Sequence, residues 1–479
     1  MVKKSEGGKR MPLGFNGGIR VDDSVPGTLK IFSAKYGKHY IYTAPKDFMV
    51  CVSVGDSVSH DDCIAVHADG SVLCCAVSGT IEKVVENRIY ITSDEGMPPL
   101  QYPLARDIGG IEKDEIVDHI RLAGLISEGG VPIWRMLQPL IGKGETLIIN
   151  AAETNPGVSC RRAVLRAYPE KVIGGIKIVM RALSLGKAIL VMTEHMQTEA
   201  GSIRAKLDQK NLIDIYGMAA KYPAENDRVV FSALTGCTVE PSSRRAVILS
   251  VHDCISIYDL LVHGRHQAIR TVTVQDQNVN VPIGTPISLI PELYGLKVPK
   301  QSVAYVGGGC GCRVCAEDDA VNEQTTAIFY SERISSPQER NCIGCGRCHV
   351  HCPIGLMPNK ILDAISDRSL RKLTWYQVEA CIQCGTCSAV CPSYRMPFEK
   401  IGAYLSGMEF DTSNECPITT AAEAEDFEAM NASEVETDIV EEIGVLDQIT
   451  EANSNEESFD AGDEKLIGSI DDEGKEGAE

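Results

Sequence analysis

Cys342-Ile343-Gly344-Cys345-Gly346-Arg347-Cys348-His349-Val350-His351-Cys352-Pro353 and Cys381-Ile382-Gln383-Cys384-Gly385-Thr386-Cys387-Ser388-Ala389-Val390-Cys391-Pro392 share one pattern, C-x2-C-x2-C-x3-C-P. Three cysteines at this spacing let a short loop wrap three corners of an iron–sulfur cube. Gly344, Gly346 and Gly385 permit the tight turns and open backbone amides toward sulfur. Pro353 and Pro392 help end each loop. Where the pattern occurs twice, the fourth cysteine of each copy ligates the other cluster. Cys342, Cys345, Cys348 and Cys391 are therefore expected to hold one [4Fe–4S] cluster, and Cys381, Cys384, Cys387 and Cys352 a second. A structural zinc site is the alternative, but zinc usually pairs two C-x2-C knuckles rather than four cysteines within so short a run. His349 and His351 flank ligands and are read as solvent-facing. Adjacent clusters with no substrate residue between them pass electrons.

Between the motifs, Pro358-Asn359-Lys360-Ile361-Leu362-Asp363-Ala364-Ile365 has a proline near a helix start and apolar residues at helical spacing. A helical two-cluster ferredoxin module is expected rather than a compact β-rich one. Upstream, helix and strand alternate: helix at 114–125, strand at 145–150, helix at 168–183, strand at 187–193, helix at 198–207, strand at 228–231. That order predicts a parallel α/β sheet, with ligands at the carboxyl ends of its strands. Two features fall near such positions: the pair Gly129-Gly130, and Asn150-Ala151-Ala152-Glu153-Thr154-Asn155-Pro156-Gly157 directly after a strand. Residues 246–294 read as a third unit, with strands near 246–251, 271–274 and 280–283 around a helix at 256–261. Residues 15–104 hold short apolar runs between turns and read as a small all-β sandwich of the biotinyl/lipoyl type. Its hairpin region, Leu73-Cys74-Cys75-Ala76-Val77, has no lysine to carry a prosthetic group, which leaves a structural or docking role.

The chain has 479 residues, too many for one core, and 44% of them are hydrophobic. No apolar run approaches the ~20 residues that cross a bilayer, and residues 1–12 are polar and basic, unlike a signal peptide. A cytoplasmic protein is expected, meeting a membrane only through partners. Residues 411–479 carry 23 acidic side chains against Lys465 and Lys475, while the whole chain is at −20. Such a tail reads as disordered, with 439–446 able to form an amphipathic helix on a partner; the acidity argues against nucleic acid. Among the 19 cysteines, the scattered Cys51, Cys63, Cys160, Cys237 and Cys254 read as small core residues, and the neighbours Cys74 and Cys75 should face opposite ways.

With these pieces in order, the chain resembles the C subunit of the Rnf electron-transport complex and its relative PrdC, the electron-transfer protein linked to D-proline reductase. The resemblance covers about residues 14–400. Besides both cysteine motifs, it rests on Phe15-Asn16-Gly17-Gly18-Ile19, Leu147-Ile148-Ile149-Asn150-Ala151-Ala152-Glu153 and Val281-Pro282-Ile283-Gly284-Thr285-Pro286. It implies a multidomain α/β plus β architecture: a barrel-sandwich hybrid at 14–105, a complex I flavoprotein-like α/β domain at 112–234 and an SLBB β-grasp domain at 235–300. A Gly/Cys-rich connector at 301–335, the ferredoxin domain at 336–402 and the acidic tail from 411 complete it. It implies FMN fed by NADH, with Gly129, Gly130, Asn150, Glu153, Pro156 and Gly157 at the flavin. It also implies an NADH dehydrogenase-like role whose partners are reductase subunits, other redox proteins or membrane-bound Rnf-type subunits. The competing reading is a non-enzymatic iron–sulfur adaptor that docks to such a complex with a degenerate nucleotide site.

Two departures stand out. The family's glycine loop resembles Gly-x-Gly-Gly-x-Gly-Phe-Pro-Thr followed by lysine, whereas this chain has Ser127-Glu128-Gly129-Gly130-Val131-Pro132-Ile133-Trp134-Arg135. Fewer glycines crowd a backbone that must approach phosphate. Further on, Gly307-Gly308-Gly309-Cys310-Gly311-Cys312-Arg313-Val314-Cys315 stands where Rnf-type sequences are apolar. Cys310, Cys312 and Cys315 are open to three readings: thiols buried at a strand end, a third metal centre lacking a fourth ligand, or redox-active thiols activated by free amides and Arg313.

Overall fold

The computed structural model describes residues 13–21, 28–93, 112–144, 146–207, 212–236, 246–333 and 338–407. The acidic tail, residues 1–12 and Cys237 lie outside them. A four-stranded parallel sheet runs in the order Ile213–Met218, Ala188–Thr193, Thr146–Asn150, Ala246–Ser250. Its central strands are continuous apolar runs because helices cover both faces. Helices Pro169–Leu183 and Val251–His263 pack closely. A Cβ at Gly175 would lie 2.0 Å from the Cys254 carbonyl oxygen, so only glycine allows this approach. The second helix starts at a reciprocal cap: Ser250 Oγ accepts from the Asp253 amide and Asp253 accepts from the Ser250 amide.

The sheet corrects two expectations. Residues 228–231 are helical, inside Asp227–Thr235, not a strand. The Asn226 side chain caps the Arg228 amide and Gly236 takes the left-handed conformation that ends the helix; a four-residue apolar run cannot tell a strand from a buried helix face. Strand Ala246–Ser250 belongs to this sheet, in parallel register with Thr146–Asn150, not to the third unit.

A second, six-stranded sheet is ordered Arg313–Val314, Ser302–Val306, Ala327–Glu332, Ile269–Val274, Gln277–Pro282, Thr28–Phe32. It crosses two expected boundaries. The stretch anticipated as a connector at 301–335 supplies three of its strands. The N-terminal segment anticipated inside the 14–105 domain adds Thr28–Phe32 beside Gln277–Pro282, while Ile19–Arg20 pairs with Lys221–Tyr222. Both segments are short and depend on distant partners, which local periodicity does not report. The remaining β-unit begins at His39. Its four-stranded and three-stranded antiparallel sheets enclose a core of Tyr40, Ile64, Val77, Ile81, Ile89 and Ile91. The last element is helical: Pro358–Ser366, Leu370–Trp375 and Pro397–Leu405 surround the cysteine loops.

Candidate redox site

Each cysteine motif makes a turn followed by one short helix, Arg347–Val350 or Thr386–Ala389. Each helix is entered through a glycine with positive φ: 68° at Gly346 and 74° at Gly385. The fold sorts the eight cysteines into two cavities. One, of about 410 Å3, is lined by Cys342, Cys345, Cys348 and Cys391. The other, of about 400 Å3, is lined by Cys352, Cys381, Cys384 and Cys387. The fourth cysteine of each motif thus stands with the other motif's three. Backbone and side-chain N–H groups already point at sulfur: Leu356 N to Cys352 Sγ at 3.3 Å, Arg395 N to Cys391 Sγ at 3.5 Å and Gln383 Nε2 to Cys381 Sγ at 3.3 Å. Among the described residues no three Cys, His, Asp or Glu side chains converge as a single-ion site requires. Zinc would draw four sulfurs to ~2.3 Å of one point, whereas a cubane keeps its thiolates apart around a larger body. The donor set fits iron–sulfur clusters. His349 and His351 each face a backbone carbonyl through Nδ1.

The second cavity is clasped from outside the module. Tyr222 Oη donates to the Cys384 carbonyl at 2.5 Å. A Cβ at Gly385 would sit 2.1 Å from the Cys310 carbonyl oxygen, and one at Gly17 would sit 2.5 Å from that of Cys352. The Gly18 amide donates to the His351 carbonyl at 2.9 Å. These approaches require glycine on one side and backbone on the other.

A pocket of about 460 Å3 opens at the carboxyl ends of the central parallel strands. Glu153, Asn155, Pro156, Gly157, Arg162 and His195 are among its lining residues. Gly157 has φ 80° and lies against the Phe329 ring. Asn150 does not line the pocket. It is fully buried beneath it, donating to the Glu225 carbonyl and Asp227 Oδ1 at 2.8 Å each, so it shapes the loop. Glu153 closes the start of helix Cys160–Ala167 by accepting from the amides of Arg161 (2.8 Å) and Arg162 (3.0 Å). Burial nevertheless pushes its carboxyl up to about 7. Asn155 Oδ1 is buried and has no hydrogen-bond partner among the described residues. A concave site with a left-handed glycine, an orphaned acceptor and arginine on its wall fits a polar, hydrogen-bonding ligand such as a flavin.

The Nuo51 FMN-binding domain matches residues 117–317, which hold this pocket, and a 4Fe-4S dicluster domain matches 341–396, which hold both cysteine cavities. The C subunit of an ion-translocating oxidoreductase complex from Buchnera aphidicola is 26% identical over 331 residues, 65% of this chain and 69% of that protein. Its namesake from Vibrio cholerae is 25% identical over 290 residues, 57% of this chain and 37% of that one. The C subunit of a proton-translocating ferredoxin:NAD(+) oxidoreductase complex from Clostridium ljungdahlii is 26% identical over 276 residues, 54% and 60% respectively. The chain belongs to the RnfC family. Crystal structures of an NAD+-reducing [NiFe]-hydrogenase superpose with a TM-score of 0.43 to 0.44 at 16% identity over 62 to 63% of each chain, too low to carry an argument.

Against the family's glycine loop, the turn at 127–131 is built for another purpose. Gly129 and Gly130 are not among the residues lining the pocket, and the space beside Gly130 is filled by the Gln324 side chain. Glu128, which no sequence pattern singled out, is buried instead. Its Oε1 accepts from Arg161 Nη2 at 2.5 Å and its Oε2 pairs with Arg270 Nη2 at 2.8 Å. His252 Nδ1 lies 3.0 Å from Oε2. Burial alone would raise this carboxyl, but the two guanidinium groups hold it well below the ordinary carboxylate range. Burial, with Arg270 close by, lowers His252 to about 4, so the ring is neutral and Nδ1 carries the proton.

The three cysteines of the Gly/Cys-rich turn separate. Cys315 packs toward the core of the six-stranded sheet, and its amide bonds the Ala304 carbonyl at 2.8 Å. Cys310 and Cys312 turn toward Cys384 and Tyr222. The expectation that local amides and Arg313 lower these thiols is corrected. Arg313 is engaged by Asp319 at 2.5 Å, and burial with Cys384 nearby pushes Cys310 up to about 11. Burial likewise takes Cys315 to about 11. No third metal centre forms there among the described residues.

Replacing Glu128 by Ala leaves two buried guanidinium groups without their anion. It should cost ~3–5 kcal/mol, read as a lower denaturation midpoint, and a near-neutral result would contradict the ion-pair assignment. Folded Glu153 keeps its proton up to about 7, above the ordinary carboxylate value. Stability from this group is therefore complete below that ordinary value and falls as pH rises through about 7. Glu153→Gln should flatten the pH slope of the thermal midpoint across that window.

Proposed function

We propose that this chain is an iron–sulfur flavoprotein subunit. In this reading electrons pass between a flavin in the pocket at 153–159 and two [4Fe–4S] clusters, one held by Cys381, Cys384, Cys387 and Cys352, the other by Cys342, Cys345, Cys348 and Cys391. FMN would supply the exchange between two-electron and one-electron chemistry. The protein's part is to hold the flavin beside the first of these clusters and exclude water between them.

One observation carries the proposal: a single turn spans the two sites. A Cβ at Gly308 would lie 2.4 Å from Val158 and 2.9 Å from Asn155, on the pocket wall. Two residues later the Cys310 carbonyl presses on Gly385 beside Cys384. The flavin pocket and the second cysteine cavity therefore abut through residues 308–310. The match to an FMN-binding domain supports electron transfer over the adaptor reading. NADH remains the proposed donor by family likeness, although Gly129 and Gly130 offer it no cradle in this pocket. The barrel-sandwich and β-grasp assignments of the two β-units rest on the same likeness. No helix among the described residues is long and apolar enough to cross a membrane. The relatives named as subunits of ion-translocating complexes support redox partners, including membrane-bound Rnf-type subunits met from the cytoplasmic face. Anaerobically purified chain should hold ~8 irons and show flavin absorbance. Iron without flavin would favour the adaptor, and half that iron after full reconstitution would refute the two-cluster assignment.

A second reading, delivery of electrons to a thiol-dependent reductase of the D-proline reductase type, is favoured by Cys310 and Cys312 standing beside Cys384. A Cys310→Ser, Cys312→Ser double variant should then lose delivery to such a reductase while its clusters are still reduced at the native rate. Full reductase turnover in the variant would overturn that reading.

A further inference from the structure

The β-unit that begins at His39 contains a row of thiols that neither site uses. Met49–Val50, Cys63–Val66 and Val72–Cys74 are neighbouring antiparallel strands in that order. Cys51 extends the first strand, its amide donating to the Ile64 carbonyl at 3.1 Å. Cys63 stands directly opposite Cys74 in register. The Sγ atoms of Cys51 and Cys63 are 4.0 Å apart. Residues directly opposite in an antiparallel pair share a face, so Cys63 stands between one thiol in contact and another across the ladder. Cys75 points away and is buried, donating to the Ser59 carbonyl at 3.0 Å. Cys51 and Cys63 had read as isolated core residues. The structure instead leaves Cys51 exposed and Cys63 half-buried beside it.

The three are free thiols and, among the described residues, do not converge as a metal-ion site would. Their spacing suits sulfur–sulfur chemistry. A disulfide needs ~2.05 Å between sulfurs, and side-chain rotation across the 4.0 Å contact closes most of that gap. Cys51 is flanked by two strongly exposed apolar side chains, Met49 (69%) and Val54 (65%), a surface on which another protein can land.

We propose that Cys51, Cys63 and Cys74 form a thiol–disulfide exchange site whose substrate is an exposed disulfide on a partner redox protein. Cys51, as thiolate, attacks one sulfur of that disulfide. The Cys51–partner bond forms, the partner's own S–S bond breaks, and its first thiolate leaves to take a proton from water. Cys63 then loses its proton and attacks the Cys51 sulfur. The Cys51–Cys63 bond forms and the partner's second thiolate departs. The protein dithiol is oxidised, the partner disulfide is reduced, and two electrons change hands. Attack by Cys74 on Cys63 moves the disulfide one strand inward and frees Cys51 again. Burial, with Cys51 alongside, pushes Cys63 up to about 11, and burial with Cys63 alongside pushes Cys74 up to about 12, so both inner thiols wait protonated behind the exposed one.

The test uses the full cluster-loaded chain under anaerobic conditions with the disulfide 5,5′-dithiobis(2-nitrobenzoate) as probe, followed by alkylation and peptide mapping. The native chain should yield a reversible Cys51–Cys63 link with no adduct left on Cys51. Cys63→Ser should trap the adduct on Cys51. Cys51→Ser, at an exposed position that leaves the fold intact, should slow the reaction at this site at least tenfold and give no Cys51-derived link. Unchanged cluster absorbance throughout assigns the reaction to this row. A persistent adduct on Cys51 of the native chain, or no Cys51–Cys63 peptide at any probe concentration, would overturn the proposal.

Discussion

A buried carboxylate joins the parts of this molecule. Glu128 sits on a glycine turn, yet its two oxygens meet Arg161 from the helix behind the pocket loop and Arg270 from the six-stranded sheet, with His252 from a third element. Ions so deeply buried are costly unless paired, and each partner here comes from a different layer. The ionic group fixes how the parallel sheet, its pocket and the neighbouring β-sheet sit against each other. The family's glycine loop has been given over to this joint, which is why Gly130 faces a glutamine side chain and not the pocket.

The second constraint is backbone contact at the cysteine loops. Gly17, Gly18, Gly311 and Gly385 let main chain touch main chain around Cys352 and Cys384. A cluster's behaviour depends on the N–H groups and carbonyl dipoles near its sulfurs and on access of water. Tyr222 and the Cys310 carbonyl are the groups by which the rest of the chain reaches the second cavity.

The sequence made the cysteine sorting legible because ligand spacing is a local code, and it marked the Asn150–Gly157 loop because that loop follows a strongly apolar strand. The strand mistaken at 228–231 was an apolar run too short to show a period. Glu128 stayed hidden because nothing local distinguishes a buried glutamate from a solvated one; its partners lie 33, 124 and 142 positions away. The thiol row was missed for a similar reason. Cys51, Cys63 and Cys74 are scattered in sequence and meet only through strand register, which a bulge near Cys63 shifts.

The strand Thr28–Phe32 has a consequence for how the chain is made. It lies against Gln277–Pro282, and the Thr28 carbonyl accepts from Asn278 Nδ2, 250 positions later. Ribosomes add ~5–20 residues per second, so this N-terminal segment leaves the exit tunnel on the order of 10–50 s before its partner exists. Throughout that interval an edge-forming strand waits unpaired, a template for other chains. In the cell its first companion is therefore a chaperone, and the six-stranded sheet is among the last parts of the molecule to close.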